Sequence, residues 1–152
     1  MKRALLAARL FAGVLVIAMG LLVTGPGAHA APTTTAARST SVTFRNTTTH
    51  NLTKRYSEVF SGIWTLQPKI YVSPTEEFYW GTESNGFMTG TSGIVWYDMD
   101  NGKYFTVKWS NPFVGSNSYT FGGTALGTGG FRIVRSGGSG NNAQVTLTLV
   151  KN

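Results

Sequence analysis

The chain has 152 residues, with 13 Lys+Arg, 6 Asp+Glu, 19 Gly and no Cys. That length serves one hydrophobic core, and the missing cysteine excludes disulfide frameworks, thiolate metal sites and cysteine nucleophiles. Charged residues and aromatics make up only 12% each, and Thr, Ser, Asn and Gly are abundant, which points to a β-rich domain and away from a solvated helical bundle.

Lys2, Arg3 and Arg9 precede a charge-free run from Leu10 to Thr24, followed by Gly25-Pro26-Gly27 and Ala28-His29-Ala30. This pattern predicts a signal peptide over residues 1–30, cleaved after Ala30, and hence a secreted protein. The apolar run is 15 residues long. It falls short of the ~20 a spanning helix needs, which weighs against an uncleaved anchor. No Cys follows it, so a lipoprotein anchor is excluded. Residues 31–152 keep 10 of the 13 basic residues against 6 acidic ones, a net charge of +4. Only Lys54-Arg55 sit side by side among them, so there is no clustered basic footprint and no nucleic acid is expected.

Residues 31–40 (APTTTAARST) are small and polar and read as a flexible leader, with the folded domain over 41–152. From Ser41 on, short strands are punctuated by Gly, Asn and Pro. Val42 and Phe44 alternate with Thr43 and Arg45 as a half-buried strand. Tyr56, Ile63-Trp64 and Ile70-Tyr71-Val72 mark further strands, which Pro68 and Pro74 confine to edges or strand starts. Phe78-Tyr79-Trp80 is an aromatic strand. Ile94–Tyr97 and Tyr104–Trp109 flank an Asn101-Gly102 turn and read as an antiparallel hairpin, with Phe105, Val107 and Trp109 on one face. Val145, Leu147 and Leu149 alternate with Thr146 and Thr148 in a last strand. No apolar period of 3.6 residues persists over three turns, so the fold class is all-β, a sandwich or barrel.

Catalytic chemistry is hard to place. His50 is the one histidine after residue 30, and no carboxylate stands at motif spacing from it. Glu76 and Glu77 are strand neighbours facing opposite sides, unlike the paired carboxylates of glycoside hydrolysis. Asp98, Asp100 and Gly102 have calcium-loop character, but the Gly is fifth, where the sixth is required, and position twelve is Trp109. A hairpin turn explains them better. Asn46-Thr47-Thr48 and Asn51-Leu52-Thr53 fit glycosylation acceptors. No catalytic residue, metal or cofactor is expected, and the chain does not read as an enzyme.

After residue 30 the chain carries 8 Phe, 6 Tyr and 4 Trp. Pairs such as Tyr79-Trp80 and Trp96-Tyr97 alternate faces along a strand, so part of this aromatic surface faces outward unless both faces are packed. Outward Tyr and Trp suit membrane interfaces and sugar-binding surfaces alike.

Three blocks carry a resemblance: Glu83-Ser84-Asn85-Gly86-Phe87-Met88-Thr89-Gly90-Thr91 through Gly93, then Asn111-Pro112-Phe113-Val114-Gly115-Ser116-Asn117, then Gly137-Gly138-Ser139-Gly140-Asn141. In order and spacing they resemble the aegerolysin family, and within it the small component of the binary insecticidal crystal toxins of bacilli. The likeness spans roughly Ser41 to Lys151, strongest from Glu83 onward. It implies a β-sandwich of two antiparallel sheets, binding of membrane lipids, a larger pore-forming protein partner, and toxin or haemolysin activity. Export, a glycine-rich Phe121–Gly130 connection, and Asn111 in place of a cysteine found in some fungal members depart from that pattern.

For membrane contact the sequence nominates Trp80, Trp96 and Phe113, with Lys103 and Lys108 adding attraction to anionic headgroups. Glu83, Asn85, Gly86, Gly90, Gly93, Asn111, Pro112, Gly115 and Asn117 read as residues that maintain the fold. The alternatives are a secreted carbohydrate-binding, lectin-like module and a non-catalytic interaction protein of the cell envelope.

Overall fold

The structure, a computed structural model, describes residues 37–152. The expected signal peptide and residues 31–36 of the expected leader lie outside the described residues. Residues 37–152 hold all the strands and the core described below.

Ten strands follow one another: β1 (Ser39–Asn46), β2 (Leu52–Ser61), β3 (Ile63–Leu66), β4 (Tyr71–Val72), β5 (Glu77–Glu83), β6 (Thr91–Met99), β7 (Tyr104–Asn111), β8 (Ser118–Gly122), β9 (Phe131–Gly137) and β10 (Asn142–Lys151). They form two five-stranded sheets, ordered β3-β5-β1-β10-β9 and β4-β2-β6-β7-β8. A three-residue 3-10 turn, Gly127–Gly129, is the one helical element among the described residues. The all-β sandwich expected from the sequence is the architecture observed. The leader boundary shifts, because Ser39 and Thr40 already belong to β1, with Thr40 buried. Ser39 donates its N–H to Asn141 and is tied to the domain from there on.

One ladder departs from the antiparallel expectation. β1 and β10 pair in parallel, Val42 opposite Val145 and Phe44 opposite Leu147. Parallel neighbours need a crossover, and here the crossover is nearly the whole domain, so no local signal announces it. The edge reading holds for β3 and β4, which each close one sheet, but not for the Tyr56 strand, since β2 lies between β4 and β6. The Asn101-Gly102 hairpin forms as read, with Asp98 opposite Tyr104 and the Gly102 N–H donated to Met99.

Strict alternation sends one face of each central strand inward: Val42 and Phe44 on β1, Val95, Tyr97 and Met99 on β6, Phe105, Val107 and Trp109 on β7, and Val145, Leu147 and Leu149 on β10. Phe44 sits at the centre. Its ring stacks on Phe105 at 5.5 Å and meets Phe78 at 5.3 Å and Trp80 at 5.9 Å. Such aromatic pairs add ~0.5–1.5 kcal/mol each beyond the area they bury.

Tyr97 places a polar tip in this core, donating its hydroxyl to the Lys69 carbonyl at 2.6 Å. Burial pushes the Tyr97 phenol far above its usual range. Because the folded value is the raised one, its contribution is intact below the unfolded value near 10 and is lost as pH climbs beyond it. Urea midpoints taken from pH 7 to 11 are therefore expected to hold level up to about pH 9 and then fall. A flat profile to pH 11 would show that Tyr97 ionises as freely in the fold as outside it.

Candidate functional site

Strand register gathers three connections and the start of β1 at one end of the sandwich. Ser39 lies opposite both Glu83 and Asn142, Thr91 opposite Asn111, and Ser110 opposite Ser118. The loops 84–90, 112–117 and 138–141 therefore crowd together beside the start of β1, and they contain the three blocks that carry the aegerolysin resemblance.

Arg38 joins the first two loops. Its backbone exchanges hydrogen bonds with Ser84, donating to Oγ at 3.1 Å and accepting from N–H at 2.8 Å. Its guanidinium lies 5.3 Å from the Phe113 ring centroid and donates to the carbonyls of Pro112, at 3.0 Å, and of Phe113. Asn117 joins the second loop to the third by donating Nδ2 to the carbonyls of Gly138 at 3.0 Å and Gly140 at 2.8 Å. Asn111, fully buried, donates to the carbonyls of Ser39 and Asn141 at 2.8 Å each. Substituting Asn111 with Ala removes the side-chain donor that the Ser39 and Asn141 carbonyls share. We expect ~1–3 kcal/mol of lost stability, read from urea midpoints. An unchanged midpoint would mean that these loops are held by other contacts.

The motif glycines divide into two kinds. A Cβ at Gly90 would lie 2.5 Å from the Asn111 carbonyl oxygen, and one at Gly93 2.6 Å from the Trp109 ring, so these two do maintain the packing as read. At Gly115 space is open and the requirement is backbone conformation, φ +105°. Asn85, by contrast, is exposed, Glu83 is half-buried at the end of β5, and Pro112 and Gly86 shape the loops.

So fastened, the loops hold apolar side chains out in water. Phe87 is 92% exposed, Val114 80% and Met88 54%. Met88 also adopts φ +55°, a left-handed conformation that a long side chain seldom takes and that costs about 1 kcal/mol or more. At the same end lies a shallow depression lined by Met88, Thr91, Ser92, Ser110, Pro112 and Phe113. Folding contributes nothing to keeping Phe87 and Val114 exposed, so this end is the candidate site.

The residues nominated from the sequence do not converge there. Trp80 is 2% exposed, packed on Phe44, Phe78 and Trp109, and cannot touch a membrane in this fold. Alternation within β5 puts Phe78 and Trp80 inward and Tyr79 outward. Trp96 does face out, but Tyr104 stacks on its ring at 4.5 Å, the Arg55 guanidinium lies 5.3 Å from its centroid, and its Nε1 is donated to Asp98. Its faces are spoken for. Lys103 stands at the opposite end, about 26 Å along β6 from the loop tips, with Nζ donated to the Gly129 carbonyl at 2.7 Å. Lys108 is exposed in mid-sheet opposite Ile94. Phe113 alone lies in the loop end, half-buried under Arg38. The sequence reading does not reach Phe87, Met88 and Val114, although apolar residues set among Gly, Asn and Pro with no strand alternation are a readable signal.

The opposite end is occupied by a polar clasp. Asp100 accepts from His50 Nδ1 at 2.6 Å and from Asn51 through both N–H at 2.9 Å and Nδ2 at 3.0 Å. These hydrogen bonds, the Asn51 backbone first, hold its carboxyl below the usual carboxylate range. Asp98 pairs with Arg55 at 2.7 Å, so both acids of the hairpin are engaged in side-chain contacts. The sequon at Asn46 is unavailable as an acceptor: the residue is buried and its Nδ2 is donated to the carbonyls of His50 and Ser73.

No family model matches the chain. Over 110 residues it is 30% identical to an uncharacterized protein of Dictyostelium discoideum, a match that takes 71% of this chain and 10% of that protein. The chain thus spans about a tenth of the length of the curated relative it matches. Among solved structures, the lipid-binding protein Nakanori superposes with a TM-score of 0.67 at 14% identity, covering 77% of this chain and 73% of that one. RahU, crystallised with a Tris molecule, gives 0.64 at 18% identity over 78% and 98% of the two chains. IP-1A from Alcaligenes faecalis gives 0.60 at 16% identity over 77% and 93%. The chain shares their fold. That fold is the aegerolysin-like β-sandwich implied by the three sequence blocks, here with its one parallel ladder.

Proposed function

We propose that this chain is a secreted, non-catalytic lipid-binding protein of the aegerolysin type, which seats its loop end on a membrane and acts with a larger pore-forming protein. The observation that carries the reading is the convergence of Phe87, Met88 and Val114, the apolar tips of two separate loops, at one end of a rigid sandwich. The fold shared with a lipid-binding protein and the family resemblance of the same two loops support it.

Entering the headgroup–acyl boundary, three such side chains contribute on the order of 3–6 kcal/mol. That suffices for weak, reversible attachment and leaves lipid choice to neighbouring polar groups. For the carbohydrate-binding alternative Trp96 offers no platform, because it lies between Tyr104 and Arg55.

The test is cosedimentation of residues 34–152 with vesicles of varied headgroup, alongside dye leakage. Working without residues 1–33 keeps the apolar amino-terminal run from adding its own membrane affinity. Binding without leakage is the expected result, and leakage should appear only when the partner is supplied. Failure of the folded protein to bind any vesicle would remove the lipid reading.

A further inference from the structure

Beside the Val114 tip, the loops 112–117 and 138–141 border a pocket open to solvent, of about 400 Å³, at the same end of the sandwich. Arg38 and Arg135 both line it, together with Ser116 and Ser139, and no carboxylate does. Neither arginine pairs with an acid among the described residues, whereas Arg45, Arg55 and Lys69 each do. Each guanidinium is braced and still keeps donors to spare. Arg38 gives Nε and Nη2 to the Pro112 and Phe113 carbonyls, leaving Nη1. Arg135 gives Nη1 to the Gly137 carbonyl and lies 5.2 Å from the Tyr119 ring centroid, leaving Nε and Nη2. Asn117 already satisfies the Gly138 and Gly140 carbonyls, so the wall presents fewer bare acceptors to repel an anion.

We infer that this cavity binds a phosphate group, supplied by the headgroup of a phospholipid whose acyl region the apolar tips enter. Two planar guanidiniums lining the pocket, Arg38 from the segment just before β1 and Arg135 from β9, suit the spread oxygens of a phosphate, which accepts their N–H groups in forked pairs. The volume exceeds that of phosphate alone and leaves room for the ester substituents of a headgroup. The lipid source rests on the membrane reading above. Its physical ground is that the cavity wall at Gly115 is continuous with Val114.

The experiment measures residues 34–152 on vesicles of phosphatidylcholine and on vesicles of a phosphate-free galactolipid with matched chains, both without net charge. Arg135→Gln should weaken binding to phosphatidylcholine about tenfold or more and leave galactolipid binding nearly unchanged. Arg135→Lys, which keeps charge but not the fork, should fall between them. Arg38 also braces the loops, so Arg38→Lys is read beside its urea midpoint. Phe87→Ala should weaken both vesicle types alike. Titration with inorganic phosphate and with glycerophosphocholine forms the soluble arm. If Arg135→Gln changes neither vesicle binding nor soluble phosphate binding, the cavity inference is overturned and the membrane reading stands. If the unsubstituted protein binds no vesicle yet binds soluble phosphate through Arg135, the membrane reading falls and phosphate recognition remains. Loss in every arm removes both.

Discussion

Replacing Phe87 and Val114 together by Ser will abolish vesicle binding and leave the fold intact. The two side chains are 92% and 80% exposed, so the sandwich has almost nothing to lose from their removal. Surface changes of this kind usually stay within about 0.5 kcal/mol. At a membrane the accounting reverses, because each tip then gains the burial it lacks in water. Losing about 1.5–2 kcal/mol at each position weakens attachment on the order of a hundredfold or more. Cosedimentation, with the urea midpoint measured on the same sample, reads the two effects separately. Binding that survives the double substitution, in a protein that unfolds normally, would move the contact surface away from the loop end.

Trp80→Ala will be among the most damaging single substitutions in the domain, and its damage will be to stability. The indole fills the space between Phe44, Phe78 and Trp109, with ring centroids 5.6–6.2 Å away. Truncation leaves a cavity that a two-sheet core cannot close, at ~3–5 kcal/mol. Against a total stability of about 5–15 kcal/mol that is a large share, so the thermal midpoint should drop steeply. Vesicle binding should then fall only as far as the folded fraction falls. Trp80→Phe sharpens the prediction. Its Nε1 is buried with no acceptor, so phenylalanine removes an unpaired donor along with the volume, and the loss should be well below that of alanine. A Trp80→Ala protein that keeps its midpoint but not its binding would return Trp80 to the membrane surface.

Why the sequence pointed to Trp80 and Trp96 is instructive. Tyr79-Trp80 and Trp96-Tyr97 each promise one aromatic inside and one outside, and period-2 alternation alone does not say which. The structure puts Trp80 and Tyr97 inside and Tyr79 and Trp96 outside. For Trp96 even outward direction was insufficient, since Tyr104 and Arg55, brought over by the hairpin and by β2, cover it. A scaffold role for the three motif blocks holds for Gly90, Gly93, Asn111 and Asn117. The same blocks also carry the exposed tips. Strands β8 and β9 are short, Ser118–Gly122 and Phe131–Gly137, and turn only half-buried Tyr119, Phe121 and Ile133 and the buried Phe131 toward the core.

By itself the sequence determined the all-β class, the Asn101-Gly102 hairpin, the inward faces of β1, β7 and β10, and the edge character of β3 and β4. Each of these rests on a local rule: side-chain alternation, turn conformation, or the missing N–H of proline. Tertiary structure alone decided that β1 lies parallel to β10, that 84–90, 112–117 and 138–141 meet at one end, and that Arg38 and Arg135 share a cavity there. Those are pairings between residues some twenty to a hundred positions apart. They are set by which apolar faces the two sheets bury together, and no window of neighbouring residues contains that information.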